Sequence, residues 1–236
     1  MKINVVRVAL LLIAATIQST LFAQLPTVVI NNGKVMEGDF FKEKFYMLKS
    51  FGQGVVKLKD SNLLEGVVNI SAFTQTINVI TPEGDTTNIN LESMVESVSI
   101  GRHLFFKING SYIQILDSNG DVSLGLNRIL KLGTENVEGA YGGKTDNSSV
   151  SAIRNVTNTA GQWTPIGRGI KYNVLYSENL FLVKKGKASV VSKRNFQRLF
   201  PNHNQEIESF LNENKCEFSN SSDVIKLFKY LIAIQK

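Results

Sequence analysis

Hydrophobic and polar residues alternate along most of the chain between about residue 27 and residue 191. β-Branched and aromatic residues fill the apolar positions, and clusters of Gly, Asn, Asp and Ser interrupt the alternation. A period of two places successive side chains on opposite faces of a strand. The pattern predicts a mainly β fold of antiparallel sheets or small barrels. We expect strands at residues 27–31, 45–49, 55–59, 63–70, 76–81, 86–90, 95–100, 104–108, 112–116, 124–132, 170–176, 180–184 and 188–191.

Short polar clusters mark the expected turns. Asn109-Gly110 separates two apolar runs and favours a two-residue hairpin turn, because both residue types tolerate positive φ. Ser177-Glu178-Asn179 separates the runs at 170–176 and 180–184, so the sequence also predicts a hairpin there.

The character of the chain changes between Gly133 and Gly169, where Gly, Asn, Ser and Thr dominate. We interpret residues 133–169 as a long loop with short strands. Trp163, the only Trp of the chain, lies in this loop. An exposed Trp would indicate contact with carbohydrate or protein, and a buried one would anchor the loop to the core.

From Ser192 the hydrophobic period changes from two to about 3.6 residues. The pattern predicts two to three short amphipathic helices, and Ser221-Ser222-Asp223 offers N-caps for the last of them. Short helices need a partner surface, so we expect residues 192–236 to form a cap on the β-rich region at 24–191. The alternative is a membrane-surface role for the last helix, which carries Lys226 and Lys229.

The N-terminus has the three-part layout of a secretory signal peptide. Lys2 and Arg7 are followed by an apolar run at residues 8–17, by the more polar Gln18-Ser19-Thr20, and by Leu21-Phe22-Ala23 before Gln24. This apolar run is shorter than the roughly 20 residues that a helix needs to span a bilayer. We therefore predict export with cleavage after Ala23, to the periplasm or the extracellular space, and no transmembrane segment in the mature chain.

Cleavage would remove Lys2 and Arg7 and lower the formal net charge by two from +6. The remaining positive charge is compatible with anionic glycans or surfaces. One stretch is strongly cationic and contains no acidic residue. Its candidate contact residues are Lys184, Lys185, Lys187, Lys193, Arg194 and Arg198. Only Phe196 interrupts them with an aromatic ring, so nucleic acid is not the expected partner, and a solvated face is the alternative interpretation.

Recognisable catalytic and metal-binding patterns are missing from the sequence. One Cys and two His leave little material for a thiolate or imidazole metal centre. Asp117, Asn119 and Asp121 imitate half of a calcium loop, but Arg128 stands where its final Glu belongs. We therefore assign no catalytic residues, metal or cofactor. A glycosidase needs two converging carboxylates, which one sequence cannot reveal.

Residues 54–100 resemble the small five-stranded Sm-like barrel in the order and punctuation of their strands. The resemblance implies a small β-barrel shape. Members of that family often bind RNA, but Ala72-Phe73-Thr74-Gln75 stands where the signature acidic residue is expected, so RNA binding is not implied. The C-terminal segment, with Phe196, Leu199, Phe200 and Pro201 before two helices, resembles that of uncharacterised exported bacterial β-rich proteins, which implies no activity.

Together these patterns predict an exported, non-catalytic binding or structural module of the bacterial envelope or periplasm. Its partner would be an envelope protein, a glycan or an anionic surface. Two alternatives stay open: a secreted hydrolase, acting on glycans through carboxylates that the sequence does not locate, and a partner subunit that uses the basic stretch.

Overall fold

The computed structural model describes residues 25–31, 34–134 and 170–234. The predicted signal peptide, most of the predicted 133–169 loop and Trp163 lie outside these ranges. The described strands form one antiparallel sheet. They are Thr27–Asn31 (β1), Lys34–Glu37 (β2), Gly52–Leu58 (β3), Leu63–Ile70 (β4), Ile77–Ile80 (β5), Thr86–Asn88 (β6), Val95–Ile100 (β7), His103–Ile108 (β8), Ser111–Asn119 (β9), Val122–Thr134 (β10), Ile170–Lys184 (β11) and Lys187–Val190 (β12).

The described α-helices are one early helix and three C-terminal ones. They are Asp39–Lys44 (α1), Lys193–Leu199 (α2), Asn204–Glu213 (α3) and Ser221–Ile234 (α4), and 3₁₀ turns cover Glu92–Met94 and Pro201–His203. The prediction of a mainly antiparallel β fold with a C-terminal helical cap is confirmed. Among the described residues, no helix combines the length and the apolar character needed to span a membrane.

The strand order in the sheet is β2-β1-β11-β10-β9-β8-β7-β3-β4-β5-β6, and β12 also pairs with β11. Most strands that are neighbours in the sheet are also consecutive in the sequence, because short polar turns join them into hairpins. The turn at Asn109-Gly110 has positive φ at both residues, as predicted. Two pairings, β3 with β7 and β1 with β11, join strands that are distant in sequence.

Two of the predictions, the hairpin at 170–184 and the strand at 45–49, are wrong. Residues 170–184 form one continuous strand and not a hairpin, because β10 offers a partner to every residue from Tyr172 to Lys184. Its ladder bonds outweigh the turn preference of Ser177-Glu178-Asn179. Residues 45–49 form no strand, and Tyr46 makes a single bridge to Ser71. The pattern also failed to predict β2 and α1.

One face of the long β10–β11 ribbon carries two separate hydrophobic cores. The first core lies under β1, α1 and strands β3 to β9 and includes Leu130, Leu132, Tyr172 and Val174. The second lies under the helical cap and joins β10 and β11 to α2, α3 and α4. Its buried members are Val122, Leu124, Leu126, Leu180, Leu182, Phe196, Phe200, Ile207, Val224, Leu227, Phe228 and Leu231. The cap therefore docks on the sheet, as its amphipathic helices require.

The turn between β4 and β5 folds back onto β10. The carbonyl oxygen of Ala72 accepts a hydrogen bond from Leu130 N at 3.0 Å. The side chain of Gln75 donates to the carbonyl oxygen of Arg128 at 3.0 Å and accepts from Tyr112 N at 3.0 Å. These bonds curl the sheet across the first core.

Within the part that resembles an Sm-like barrel, β7 pairs with β3, but β6 pairs only with β5 among the described strands.

Candidate functional site

Arg128 and Glu178 interrupt the apolar rows of β10 and β11. Side chains at every second position of β10 from Val122 to Leu132 point to the buried face, and Arg128 is the one charged member of that row. Arg128 and Glu178 are direct partners in the ladder. The pair therefore lies on the ribbon between the first hydrophobic core and the second core, which the helical cap covers.

A chain of polar side chains holds Arg128 in one orientation. Its Nε donates to Glu178 Oε1 at 3.0 Å, and its Nη1 donates to Gln114 Oε1 at 2.5 Å. Gln114 Nε2 lies 2.9 Å from His103 Nδ1, and the Tyr176 hydroxyl donates to Glu178 Oε1 at 2.8 Å. A guanidinium has five N–H donors. Because Nη2 has no partner among the described residues, donors of a pre-oriented guanidinium are available to a ligand.

This network lines a cleft of about 1000 Å³ between the sheet and the segment that follows α1. We call this space the cleft. Its wall contains five cationic side chains and two acidic ones, so its net charge is positive. The cationic residues are Lys42, Lys44, Lys49, Arg102 and Arg128, and the acidic residues are Glu43 and Glu178. Within the described part of the chain, Lys42, Lys49 and Arg102 have no ion-pair partner.

Aromatic rings form part of the same wall. Tyr46 and Phe51 both line the cleft and meet edge to face, with ring centroids 4.9 Å apart. The Lys44 ammonium lies 5.4 Å from the centre of the Tyr176 ring, a cation–π contact that also keeps this cation at the cleft. Burial, assisted by hydrogen bonding to Glu178, raises the pKa of Tyr176 to about 12. Tyr176 is therefore a neutral hydrogen-bond donor at physiological pH.

The two acidic side chains of the cleft are both paired with cations. Glu178 accepts hydrogen bonds from Arg128 and Tyr176. The pKa of Glu43 is lowered by its hydrogen bond to Lys44. The lowered pKa of Glu43 is the opposite of the raised pKa that the general acid of a glycosidase needs.

The structure divides the predicted basic contact residues into two sets. Lys184 and Lys187 face each other in the β11–β12 ladder, and Arg198 donates to Ser189 Oγ at 2.9 Å. Arg194 lies one helical turn before Arg198. By contrast, Lys193 is paired with Glu208 at 2.9 Å, and Lys185 lies in the β11–β12 turn with a φ of 49°. We call Lys184, Lys187, Arg194 and Arg198 the basic strip.

Sequence reasoning missed the cleft. None of its lining residues was among the predicted contacts, because they come from four separate parts of the chain. One local signal existed: Arg128 occupies an apolar position in a strand whose other inward residues are Val122 and four Leu. A cation at such a position must find polar partners after folding, so it indicates a polar site.

The other chemically interesting residues are structural. Glu92 accepts hydrogen bonds from Lys107, from the Ile77 amide and from the Tyr112 hydroxyl, which together close the end of the first core. Burial raises the pKa of Cys216, so its thiol is not activated. Among the described ranges, no group of three or more His, Cys, Asp or Glu is placed to hold a metal ion.

Comparison with protein-family models, with curated proteins and with solved structures found no match for this chain. The candidate function therefore depends on the geometry and charge of the cleft.

Proposed function

We propose that this protein is an exported, non-catalytic binding module of the bacterial envelope or periplasm, and that its cleft binds an acidic oligosaccharide. The observation that carries the proposal is Arg128, which Gln114 and Glu178 hold in place while its Nη2 is available. A pre-oriented guanidinium matches the planar, two-oxygen geometry of a carboxylate. Pre-orientation also lowers the entropic cost of binding.

Two further features of the cleft support a sugar as the carrier of the negative charge. Lys49 and Arg102 add positive charge at the exposed part of the wall. The rings of Tyr46 and Phe51 offer apolar faces against which the C–H face of a sugar ring packs. The cleft volume of about 1000 Å³ is enough for several sugar units.

Binding without catalysis is supported by the contacts of the two carboxylates. Glu43 and Glu178 are each paired with a cation, so both are suited to balancing the charge of the cleft wall. The glycan hydrolase is the competing function, and it predicts turnover of a bound oligosaccharide.

The proposal is tested by calorimetric titration of the purified protein with an oligogalacturonate and with its neutral methyl ester. We expect binding of the acid and a loss of roughly tenfold or more for the ester, since a charged hydrogen-bonded pair contributes about 1.5–3 kcal/mol. Arg128→Lys keeps the charge but removes the planar fork and should weaken binding of the acid. Lys229→Gln, on the exposed side of α4, is the matched control and should bind like wild type.

Equal affinity for acid and ester, or wild-type affinity of Arg128→Lys, would contradict the proposal. Release of new reducing ends during the titration would favour the hydrolase. Export is tested separately by sequencing the N-terminus of material recovered outside the cytosol, which should begin near Gln24; an intact Met1 would contradict cleavage.

A further inference from the structure

The basic strip is a row of cations that folding assembles from a hairpin and a helix. The two-residue turn at Lys185-Gly186 places Lys184 and Lys187 directly opposite each other, so their Cα atoms are about 5 Å apart. Ser189 lies two residues beyond Lys187, about 7 Å along the same face of β12. Arg198 is bound to Ser189 at 2.9 Å, and Arg194 follows one helical turn, about 6 Å, further on.

No acidic side chain in the described part of the chain is paired with this row. Among the described residues, Lys184, Lys187, Arg194 and Arg198 make no ion pair. Asp121 precedes Val122, the ladder partner of Lys184, but makes no ion pair with Lys184. Three of the four cations are also exposed, and Lys184 is half-buried. Such a row of like charges repels itself, and an anionic partner would relieve the repulsion.

We infer that the basic strip is a second binding site and that it takes a linear sulfated or carboxylated polysaccharide, with negative groups repeating at intervals of several ångströms. This site goes beyond the proposed function of the cleft and does not depend on it. A single file of cations matches a linear polymer, whereas a lipid surface is met by a broad patch with inserted apolar side chains.

The side chains near the basic strip favour a polysaccharide over a membrane or a nucleic acid as its anionic partner. Val190 is 63% exposed, but it pairs with Phe181 and so points to the opposite face of the sheet from Lys187 and Ser189. The strip therefore has no apolar side chain to insert into a membrane. It also has no exposed ring for base stacking, because Phe196 is fully buried in the cap core.

The test is binding of the purified full chain to dextran sulfate, with uncharged dextran, anionic phosphatidylglycerol vesicles and a single-stranded oligonucleotide as further probes. The strip variant is Lys184→Gln/Lys187→Gln/Arg198→Gln. Its matched control is Lys185→Gln/Lys193→Gln/Lys229→Gln, which lowers the net charge equally at cations outside the strip. We expect the strip variant to lose roughly tenfold or more in affinity for dextran sulfate and to show a flatter salt dependence, because fewer counterions are released.

The control variant should stay within about threefold of wild type, as screened charges away from the site contribute little. The double change Lys184→Gln/Lys187→Gln, which leaves the Arg198–Ser189 bond intact, should show an intermediate loss and guards against a folding defect. Arg128→Lys is titrated in parallel to separate this site from the cleft: a loss of dextran sulfate binding in Arg128→Lys, with the strip variant at wild-type affinity, would assign that binding to the cleft and overturn the inference. Equal losses in the strip and control variants, absence of binding, or tighter binding to vesicles or oligonucleotide would overturn the inference.

Discussion

Arg128 of β10 and Glu178 of β11 are direct ladder partners, joined by an ion pair of 3.0 Å between two separate hydrophobic cores. Leu126 and Leu180 lie on one side of the pair and belong to the core under the helical cap. Leu130 and Tyr176 lie on the other side and belong to, or pack against, the core under α1. The pair thus divides the apolar face of the β10–β11 ribbon, and its two charged side chains form part of the cleft wall.

The ion pair should contribute to binding and little to stability. The side chains of Arg128 and Glu178 are 20% and 47% exposed, and pairs of this exposure contribute about 0–1 kcal/mol. We expect the double change Arg128→Leu/Glu178→Leu to unfold in urea with a free energy within about 1 kcal/mol of wild type, or higher, because it makes both rows apolar. The same variant should lose binding of the acidic oligosaccharide.

Each single change serves as the control for this prediction. Arg128→Leu leaves Glu178 without its cation, and Glu178→Leu leaves a largely buried guanidinium without its anion, so each should be less stable than the double variant. A double variant that is less stable than both single variants would show that the pair contributes more to the fold than its exposure indicates.

Glu92 should be far more important for stability than its neighbour Glu96. Glu92 accepts hydrogen bonds from Lys107 and from Tyr112, whose hydroxyl is 2.8 Å away, and its side chain is 21% exposed. Glu92→Ala removes the acceptor of the Tyr112 hydroxyl and leaves Lys107 only the backbone carbonyl oxygen of residue 92, so it should lower the free energy of unfolding by about 2–3 kcal/mol. Glu96→Ala removes only the exposed pair with Lys57 and should cost about 0.5 kcal/mol. Similar urea midpoints for the two variants would contradict this account.

Gly54 should tolerate no side chain in the middle of β3. A Cβ atom there would lie 2.5 Å from Val68 Cγ2 and 2.7 Å from the carbonyl oxygen of Ser99, which belongs to the neighbouring β7 backbone. Gly54→Ala should therefore lower the free energy of unfolding by about 1–3 kcal/mol through overpacking. Gly133→Ala is the control, since its Cβ would meet nothing closer than 3.9 Å. Thermal unfolding of both variants measures the difference, and equal stability would refute the close approach at Gly54.

Tyr176 should make the free energy of unfolding fall as the pH rises into the alkaline range. Its pKa is raised from 10.0 to about 12, first by burial and then by Glu178. Because the raised pKa favours the neutral phenol, the stability that this group contributes is complete below pH 10 and is lost as the pH rises to about 12. Tyr176→Phe should flatten the fall in unfolding free energy over this interval.

The phenolate absorbance of the native protein gives an independent measurement of the same group. Glu178→Gln should lower the pKa of Tyr176 only partly, because burial, the larger cause, stays. A native Tyr176 that ionises near its ordinary pKa of 10.0 would contradict the packing described for the cleft.

Several elements were predictable because their causes are local. The alternation of side chains identified most strands, and the positive φ of Asn109 and Gly110 is a property of those two residue types. Ser192, where the period changes, caps α2 through its Oγ, which accepts from Asn195 N at 3.3 Å. The same local reasoning failed at 177–179, where β10 supplied a ladder partner for every residue and overrode the turn preference.

The sequence by itself determined most of the strands, the C-terminal helices, the turn at Asn109-Gly110 and the basic character of residues 184–198, because steric preference, period and charge act over a few residues. Only the tertiary structure decided that β3 pairs with β7, that Arg128 meets Glu178 across 50 residues, and that Lys193 pairs with Glu208 while Lys187 has no ion pair within the described ranges. These outcomes depend on which distant surfaces bury the most apolar area together and which charges then need partners. No short segment contains that information.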